Sequence, residues 1–515
     1  MHELSNRGLP AGSPRLSLPI AVANRRTGTI AYVGGGQRSC QLPAISAFHL
    51  YRIEGTSERA TSVSYRLLLV PSHEYRKRRH RRRGDAQDYQ DLWINVLTCT
   101  RTTVNWSYCY PNTIEGDWQA LDTINHRETD TGFIDELRRT CESTNINFLL
   151  GAGCSMPAFG TLGNIERLWE MVKTDDTLNG DEKRVLEVAI RSAFFNCAIA
   201  ANYAYAHSTN PKIIETKQSY KQFCAASINL AKRRESTISP KQISYFITNY
   251  DICMDLALDE AKVPTNSGFT GRFNTMLDLS DFGRRYTTST LTLGYQSELA
   301  SANLVKLHGC ASWTTAHSST NNTHSICFSI AQDYILDIVE GITNAKLPQI
   351  DITNKAGDEY ARLKEAVKTG SYIKPSPLTI DALNDQFDKM QIVWPTKDKF
   401  HDTVLDEIYY AQLRRLTNQL EVRNSTLLVI GFSFADEHIR KLILRATETN
   451  PTLHVIIFCY NEKSERDIKE KLLSECGAIP NHNVTTVTAT KPGEGIIQGN
   501  LDLNTVSMLL EMVSK

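Results

Sequence analysis

The sequence predicts an α/β protein whose core is a Rossmann-like, doubly wound parallel sheet. From residue 131 onward, continuous apolar runs of strand length alternate with stretches of helical periodicity. Strands that are buried on both faces of a parallel sheet have this continuous apolar character. Several of the runs end in glycine or in polar side chains, as strands do where an open sheet binds its ligand. We therefore expect one parallel sheet with a helical subdomain inserted into it.

The composition is that of an ordinary globular protein. The 515 residues carry no net charge and 41% of them are hydrophobic, so the whole chain is not drawn electrostatically to nucleic acid or to a membrane surface. The first residues lack the pattern of a signal peptide, and no uninterrupted run of about 18 apolar residues occurs. Twelve cysteines without a Cys-x-x-Cys pair are typical of buried thiols in a reducing compartment. We expect a cytoplasmic protein without membrane association.

Residues 1–130 differ in composition from the rest of the chain. They hold one lysine, Lys77, against sixteen arginines, whereas residues 131–515 hold 23 lysines and 17 arginines. The basic run at 76–83 could be an arm that binds nucleic acid. The segment lacks sustained periodicity, however, and this favours an Arg-rich extension that is disordered or poorly packed.

The elements follow in order from residue 131, where the globular pattern begins. Apolar positions such as Ile165, Leu168 and Val172 recur near helical spacing and predict a helical insertion. The first half of the domain is predicted as a helix at 132–142, a strand at 145–150, helices over 161–236, a strand at 243–247, a helix at 251–261 and a strand at 304–307.

The second half of the domain begins with another insertion, over residues 314–425. It starts as a loop rich in Ser, Thr, Asn and His and then resumes the alternation of strands and helices. We predict a strand at 325–330, helices at about 355–370 and 402–420, a strand at 427–430, a helix at 435–448, a strand at 454–458, a helix at 462–474 and a strand at 484–487. The domain ends at residue 495, and residues 496–515 form a C-terminal helix.

Four short segments carry the functional information. They terminate predicted strands, and they are Gly151-Ala152-Gly153-Cys154-Ser155, Thr248-Asn249-Tyr250-Asp251, Lys306-Leu307-His308-Gly309 and Gly431-Phe432-Ser433-Phe434. The carboxyl ends of parallel strands meet at one edge of the sheet, so these segments can converge on one crevice. A glycine turn at such an edge lets backbone N–H groups approach a pyrophosphate. One nucleotide site is therefore predicted.

Taken in this order, the segments resemble the sirtuin superfamily, and more closely its bacterial branch of NAD-consuming defence proteins than the protein deacetylases. The resemblance covers roughly residues 132–490. It implies that Gly151, Ala152, Gly153 and Ser155 cradle the phosphates and a ribose of NAD, with Phe159 beside them. The sirtuin continuation Pro-Asp-Phe-Arg is replaced by Met156-Pro157-Ala158-Phe159-Gly160, which lacks both the Asp and the Arg.

The resemblance also implies roles for polar residues of the other three segments. Asn249 would hold the nicotinamide ribose and the attacking oxygen, and His308 would act as the general base. Asp251 would assist in the same pocket, although it could instead cap the following helix while Asn249 satisfies the loop backbone. Gly431 and Ser433 would contact the adenosine half of NAD. Asp436 is a further cofactor-binding candidate, or equally a residue that starts a helix.

The resemblance indicates an enzyme for which NAD is the substrate. Sirtuin deacetylases carry a zinc ribbon between the His and Gly-x-Ser motifs, but here Cys327 is the one cysteine between Trp313 and Leu427, so we expect no zinc. Water would then be the nucleophile, and an NAD glycohydrolase is the favoured function. An NAD-dependent protein deacylase and a non-catalytic sensor of NAD or ADP-ribose are the alternatives. The family further implies phage defence by NAD depletion (abortive infection), a homo-oligomer and a HerA-like ATPase partner.

Overall fold

The computed structural model describes residues 124–515, except 235–238, 272–274, 290–293, 318–323, 329–332, 397–406 and 491–496, and it describes short strands before residue 124. The chain divides into two units, 1–118 and 119–515. The strands of the first unit pair antiparallel as β1-β2-β3, β4-β5 and β6-β7. They are β1 (Ile20–Asn24), β2 (Thr29–Val33), β3 (Ser39–Gln41), β4 (Tyr65–Leu68), β5 (Trp93–Val96), β6 (Cys99–Thr100) and β7 (Thr103–Val104). The basic run 76–83 lies outside the described residues, so its role stays a prediction.

In its described residues, the second unit is built on one sheet of eight parallel strands. These are β8 (Asn125–Glu128), β9 (Asn145–Leu150), β10 (Gln242–Ile247), β11 (Thr265–Asn266), β16 (Ser301–Lys306), β19 (Ser425–Ile430), β20 (His454–Phe458) and β21 (Val484–Thr488). Their order is β11-β16-β10-β9-β19-β20-β21-β8. The chain therefore winds outward from β9 in both directions, and the predicted doubly wound, Rossmann-like fold is confirmed.

The second unit also contains short antiparallel strands that form small separate sheets. They are β12 (Phe269–Thr270), β13 (Met276–Leu277), β14 (Thr287–Ser289), β15 (Gln296–Glu298), β17 (Trp313–His317) and β18 (His324–Phe328). β17 and β18 form a hairpin, so the segment predicted as a loop from residue 314 begins as a strand.

Helices cover both faces of the sheet. In chain order they are α1 (Thr131–Ser143), α2 (Ile165–Thr174), α3 (Gly180–Ala198), α4 (Ala201–His207), α5 (Pro211–Lys232), α6 (Cys253–Glu260), α7 (Asp333–Ala345), α8 (Ala356–Thr369), α9 (Pro377–Asp388), α10 (Glu407–Glu421), α11 (Glu437–Thr449), α12 (Glu462–Cys476) and α13 (Leu503–Ser514). Successive strand residues point to opposite faces: Phe148 packs with α1, α5, α6 and α13, whereas Leu149 packs with α10, α11 and α12.

A second apolar core lies beside the sheet. Residues of α2, α3, α7, α8 and α9 pack around Phe195, Leu363 and Phe387. The two predicted insertions therefore form one helical subdomain, except that α5 and α10 pack on the sheet. The sequence prediction missed α7 and α9, although Ser376 and Pro377 are a typical helix start. One stretch, Gly180–Tyr205, is long and apolar enough to cross a membrane, but 67% of its most apolar window is buried within the protein, as in a core helix.

Strand β8 was not predicted, and it places the first strand of the sheet before residue 130. Its sequence, Asn-His-Arg-Glu, is polar and mostly exposed, so it carries no apolar signal. It pairs with β21 from Asn125 to Glu128. An edge strand is held by backbone hydrogen bonds with one neighbour, and this explains why apolar periodicity fails to detect it.

Candidate functional site

The register of the central strands brings the four predicted segments to one edge. Leu150 lies opposite both Ile247 and Ile430, and Ile247 lies opposite Lys306. The four strands therefore end at the same level. Their loops surround a cleft of about 940 Å³, near the upper end of the range for ligand pockets, about 300–1,000 Å³. Predicted site residues that line this cleft are Ala152, Gly153, Ser155, Phe159, Asn249, Asp251, His308, Gly431, Ser433 and Asp436.

The glycines of the first loop are required by close packing between two strand ends. The N–H of Gly151 donates to the carbonyl of Ile430 over 3.0 Å, and the N–H of Gly153 donates to the carbonyl of Gly431 over 2.9 Å. A Cβ atom on Gly151 would lie 2.5 Å from the carbonyl oxygen of Gly431. These two amides are therefore engaged within the protein, and contact of this loop with the NAD phosphates stays a prediction.

Ser155 is a buried hydrogen-bond junction, with 1% of its surface exposed. Its hydroxyl donates to the Asp251 carboxylate over 2.5 Å. Because that uses its only proton, Ser155 Oγ accepts from Asn249 Nδ2 at 2.9 Å and from the Tyr220 hydroxyl at 2.8 Å. Ser155 thus positions Asn249, and its part in cradling the phosphates and a ribose of NAD stays a prediction.

The orientation of the Asn249 amide is fixed by its partners. Nδ2 donates to the Gly151 carbonyl over 3.0 Å as well as to Ser155. A carbonyl can only accept, so the nitrogen must face Gly151, and both of its protons are used. The amide oxygen Oδ1 accepts from the Thr248 hydroxyl over a long contact of 3.5 Å, and its second lone pair is the part of Asn249 that can serve a ligand. It can accept a hydrogen bond from water or from a ribose hydroxyl.

Asp251 supports this arrangement from below. Its side chain accepts from Ser155 and from the backbone N–H of Cys253, the first residue of α6. The N-cap position of α6 is Ile252, without a side-chain cap, so Asp251 stands one residue before the cap and the helix-capping alternative is wrong; its carboxylate instead closes a local turn. Lys306 Nζ donates to the Asp251 carbonyl over 2.6 Å and forms an ion pair with Asp255 at 2.6 Å. Burial opposes the charge of Lys306, but the Asp255 carboxylate outweighs it and raises the pKa of the ammonium. Below the cleft, the buried Lys306 ammonium is therefore neutralised by Asp255 and bonded to Asp251.

His308 is buried, and both of its ring nitrogens have partners. The Nδ1–H group donates to the Thr248 carbonyl over 3.0 Å, and Nε2 lies 3.2 Å from Asp436 Oδ2. The ring stacks on Tyr250, with centroids 6.1 Å apart and planes 29° apart. Burial raises the pKa of the Tyr250 phenol, and the nearby Asp436 charge adds to this, so the phenol stays neutral beside the imidazole.

The segment that follows α9 holds the His308 backbone in place. The N–H of Val393 donates to the His308 carbonyl over 2.9 Å, and the Tyr250 hydroxyl donates to the Val393 carbonyl over 3.0 Å. Gly309 has a φ of 80°, and a Cβ there would lie 2.2 Å from the Gln391 carbonyl oxygen. Glycine is needed at this position for both reasons.

Asp436 is reached through a strained turn after β19. Gly431 and Phe434 have φ of 63° and 55°, and the second value is unfavourable for a bulky side chain. The buried Phe434 ring packs against Phe432, and Arg440 donates to the Phe434 carbonyl over 2.6 Å. Asp436 then caps α11, because its Oδ1 accepts from the backbone N–H groups of His438 and Ile439. Its helix-starting role is therefore present together with its contact to His308.

The remaining predicted residues lie on the cleft walls. Phe159 is 4% exposed and packs against Tyr205, with ring centroids 5.9 Å apart. Ser433 is exposed, and its carbonyl accepts from Lys471 Nζ over 2.9 Å.

Lys471 is a functional candidate that the sequence did not indicate, because it stands mid-helix far along the chain. It is the one Lys or Arg among the described residues that line the cleft, which otherwise carry acidic side chains at Glu166, Glu215, Asp251, Asp436, Asp467 and Asp502. Burial lowers the pKa of Lys471.

Tyr250 was also missed, although it stands between Asn249 and Asp251. No metal-binding cluster of three or more His, Cys, Asp or Glu occurs in the described part of the chain.

Comparison with known proteins matches residues 386–480 to the SIR2-like domain family. A solved structure titled "Structural Basis for the Mechanism and Regulation of Sir2 Enzymes" aligns with 74% of this chain and 96% of its own, at 11% identity and a TM-score of 0.28. That similarity is too weak to inform the fold, which rests on the sheet topology. No curated protein matches the chain. Residues 386–480 are thus similar to the SIR2-like domain, a family of NAD-dependent enzymes that the four strand-end segments also indicate.

Proposed function

We propose that the chain is an NAD glycohydrolase that cleaves NAD to nicotinamide and ADP-ribose. The observation that carries the proposal is the fixed Asn249 amide, which offers Oδ1 as an acceptor in the cleft that His308 also lines, at the carboxyl edge of the sheet. An acceptor at this place suits an attacking water or a ribose hydroxyl. The SIR2-like match supports an NAD-dependent activity in general.

The chemistry requires little beyond orientation and charge. When the bond between nicotinamide and C1′ of the ribose breaks, its electron pair goes to the pyridinium, which leaves as neutral nicotinamide. The ribose becomes cationic in the transition state, so the carboxylates Asp436 and Glu166 in the cleft would stabilise it. The water oxygen bonds to C1′ while one water O–H group donates to Asn249 Oδ1. The other proton of the water passes to neutral His308 and then to solvent.

Hydrolysis is preferred to deacylation because of the sequence between the His and Gly-x-Ser segments. Between Trp313 and Leu427 this stretch has Cys327 as its single cysteine, and the sulfur of Cys327 lies 3.1 Å from the Thr314 hydroxyl in the β17–β18 hairpin. The zinc-ribbon small domain expected of a deacetylase has no counterpart in this sequence.

A sensor of NAD or ADP-ribose is the second candidate, and one observation favours it. Both nitrogens of His308 are engaged by Thr248 and Asp436, so the imidazole is not ready to accept a proton in this state. A protein that only binds the nucleotide would not need His308 to break its contact with Asp436, because no proton has to be accepted.

The test is to incubate the purified protein with NAD, with and without an acetylated peptide, and to identify the products. We expect nicotinamide and ADP-ribose in equal amounts, independent of peptide. Products that require the peptide and carry its acetyl group would establish the deacylase instead. Tight NAD binding without cleavage under either condition would favour the sensor.

We further propose that this activity serves bacterial phage defence by depleting NAD, in a cytoplasmic homo-oligomer assembled with a HerA-like ATPase. The support is the family resemblance of the four segments. Cells that express the chain with such an ATPase should lose NAD on phage infection, whereas cells with Asn249→Ala should not. Co-purification of the two proteins, with mass measured by light scattering, tests the partner and the oligomer.

A further inference from the structure

One proton must lie between His308 and Asp436. The Nδ1 atom of His308 carries a proton, because its partner is the Thr248 carbonyl. If the ring were neutral, the lone pair of Nε2 would face the lone pairs of Asp436 Oδ2 at 3.2 Å. That contact is attractive only when a proton sits between the two atoms.

The surroundings place this proton on the imidazole. The other carboxylate oxygen of Asp436, Oδ1, accepts from two backbone N–H groups at the start of α11, at 3.1 and 3.2 Å. Hydrogen bonds and the helix N-terminus both favour the ionised carboxylate. The exposed fractions of the two side chains are 8% and 10%, so solvent screens their attraction weakly.

We propose that Asp436 is the positioning residue of His308 and that the two rest as an imidazolium–carboxylate ion pair, which must lose its proton before His308 can act as a base. The proposal rests on the proposed hydrolase function for its catalytic consequence, but the ion pair itself does not. The proton leaves to solvent, and neutral His308 then takes one proton from the attacking water. Other ionisable side chains on the elements around the pair are Tyr250, Asp251, Lys306, Glu166 and Lys471 in the cleft or its floor, and His438 and Arg440 on α11.

Asp436→Asn separates this role from a structural one. Asparagine caps helices as well as aspartate does, so the start of α11 should survive while the charge beside Nε2 is removed. Asp436→Ser is a second variant of the same kind, since serine is also a good cap and leaves no carboxylate.

The experiment is an NMR titration of the full-length protein labelled at histidine Cε1, with the His308 signal assigned from His308→Gln. The midpoint of the His308 titration should fall by about 1–3 pH units in Asp436→Asn and Asp436→Ser, while histidines on other elements, such as His126 on β8 and His454 on β20, keep their midpoints. Equal midpoints in the wild type and both variants would overturn the ion pair.

The kinetic arm uses the same variants. If the wild type cleaves NAD, the acid limb of its kcat/KM profile should move to lower pH in Asp436→Asn by the shift that NMR records. An unmoved acid limb would refute the catalytic consequence. A midpoint shift in a protein that never cleaves NAD would refute the hydrolase and leave the ion pair standing.

Discussion

The N–H of Gly153 donates to the carbonyl of Gly431 over 2.9 Å and joins the loop after β9 to the end of β19. This contact spans the point where the chain winds outward in opposite directions. Ligands of doubly wound sheets bind at that point. The glycines there let the loops after β9 and β19 pack in direct contact, and these two loops form one wall of the cleft.

Gly151→Ala should destabilise the protein by about 1–3 kcal/mol, because the new Cβ would lie 2.5 Å from the Gly431 carbonyl oxygen and 2.6 Å from Phe432 Cα. Backbone atoms cannot move aside as a flexible side chain can. Urea unfolding measures the loss. Gly357→Ala in α8 is the control, since nothing lies within 4 Å of the new Cβ. Alanine in a helix should raise the free energy of unfolding by at most about 1 kcal/mol. Equal effects at the two sites would contradict the packing account.

Asn249→Asp should lower NAD cleavage about a hundredfold or more. The change is nearly isosteric, but it replaces the Nδ2 donor by an oxygen that faces the Gly151 carbonyl and Ser155 Oγ, so the group turns or shifts. Steady-state nicotinamide release measures the loss. Asn179→Asp makes the same chemical change at the N-cap of α3, where aspartate serves equally well, and it should behave as the wild type. Near-normal turnover in Asn249→Asp would remove Asn249 from the mechanism.

Lys306→Met should cost about 3–5 kcal/mol of stability, because it leaves the Asp255 carboxylate, with 14% of its side chain exposed, without its partner. The double variant Lys306→Met/Asp255→Leu should recover part of the loss, since it leaves no uncompensated charge. Thermal and urea unfolding of the three proteins measure the differences. A double variant less stable than Lys306→Met alone would show that the charges do not act as a pair.

Lys471→Gln should weaken NAD binding about tenfold, equivalent to about 1.4 kcal/mol, because Lys471 is the one basic side chain among the described residues that line an otherwise acidic cleft. Calorimetry with ADP-ribose avoids turnover during the measurement. Lys463→Gln, an exposed site on the same helix, removes the same charge away from the cleft and should leave affinity unchanged. An equal loss in both variants would indicate a general effect of net charge.

Glu359 should make the second core sensitive to acid. Burial opposes its charge, but bonds from Arg362, Asn354 and the Asp351 backbone outweigh this and lower its pKa to about 2 from 4.5. A lowered pKa gives stability that is complete above pH 4.5 and lost as the pH falls through about 2. As the pH falls from 4.5 to about 2, the free energy of unfolding of the wild type should therefore drop toward that of Glu359→Gln. The exposed Glu365→Gln should show no such convergence.

The sequence predicted the strand ends well because the strands are buried on both faces and read as apolar runs. The Ile146 to Leu150 run stops at the cleft, and so do the runs that lead to Asn249 and His308. Strand β8 escaped because its side chains are polar and exposed.

Side-chain partnerships were beyond the sequence. Nothing in the pattern indicates that Asp436 meets His308 across 128 positions of chain, or that the Ser155 hydroxyl donates to Asp251. Both follow from the register of strands that are distant in sequence. The role of Lys471 likewise depends on how α12 packs against the sheet, which brings Lys471 Nζ to the Ser433 carbonyl.

Nicotinamide release from NAD by the wild type, Asn249→Ala and His308→Ala, measured side by side on folded protein, tests the central claim most directly. We expect release by the wild type in the absence of any acetylated peptide, and loss of release in both variants with NAD binding retained. A wild type that binds NAD but releases no nicotinamide, or an Asn249→Ala variant that releases it at the wild-type rate, would contradict the account.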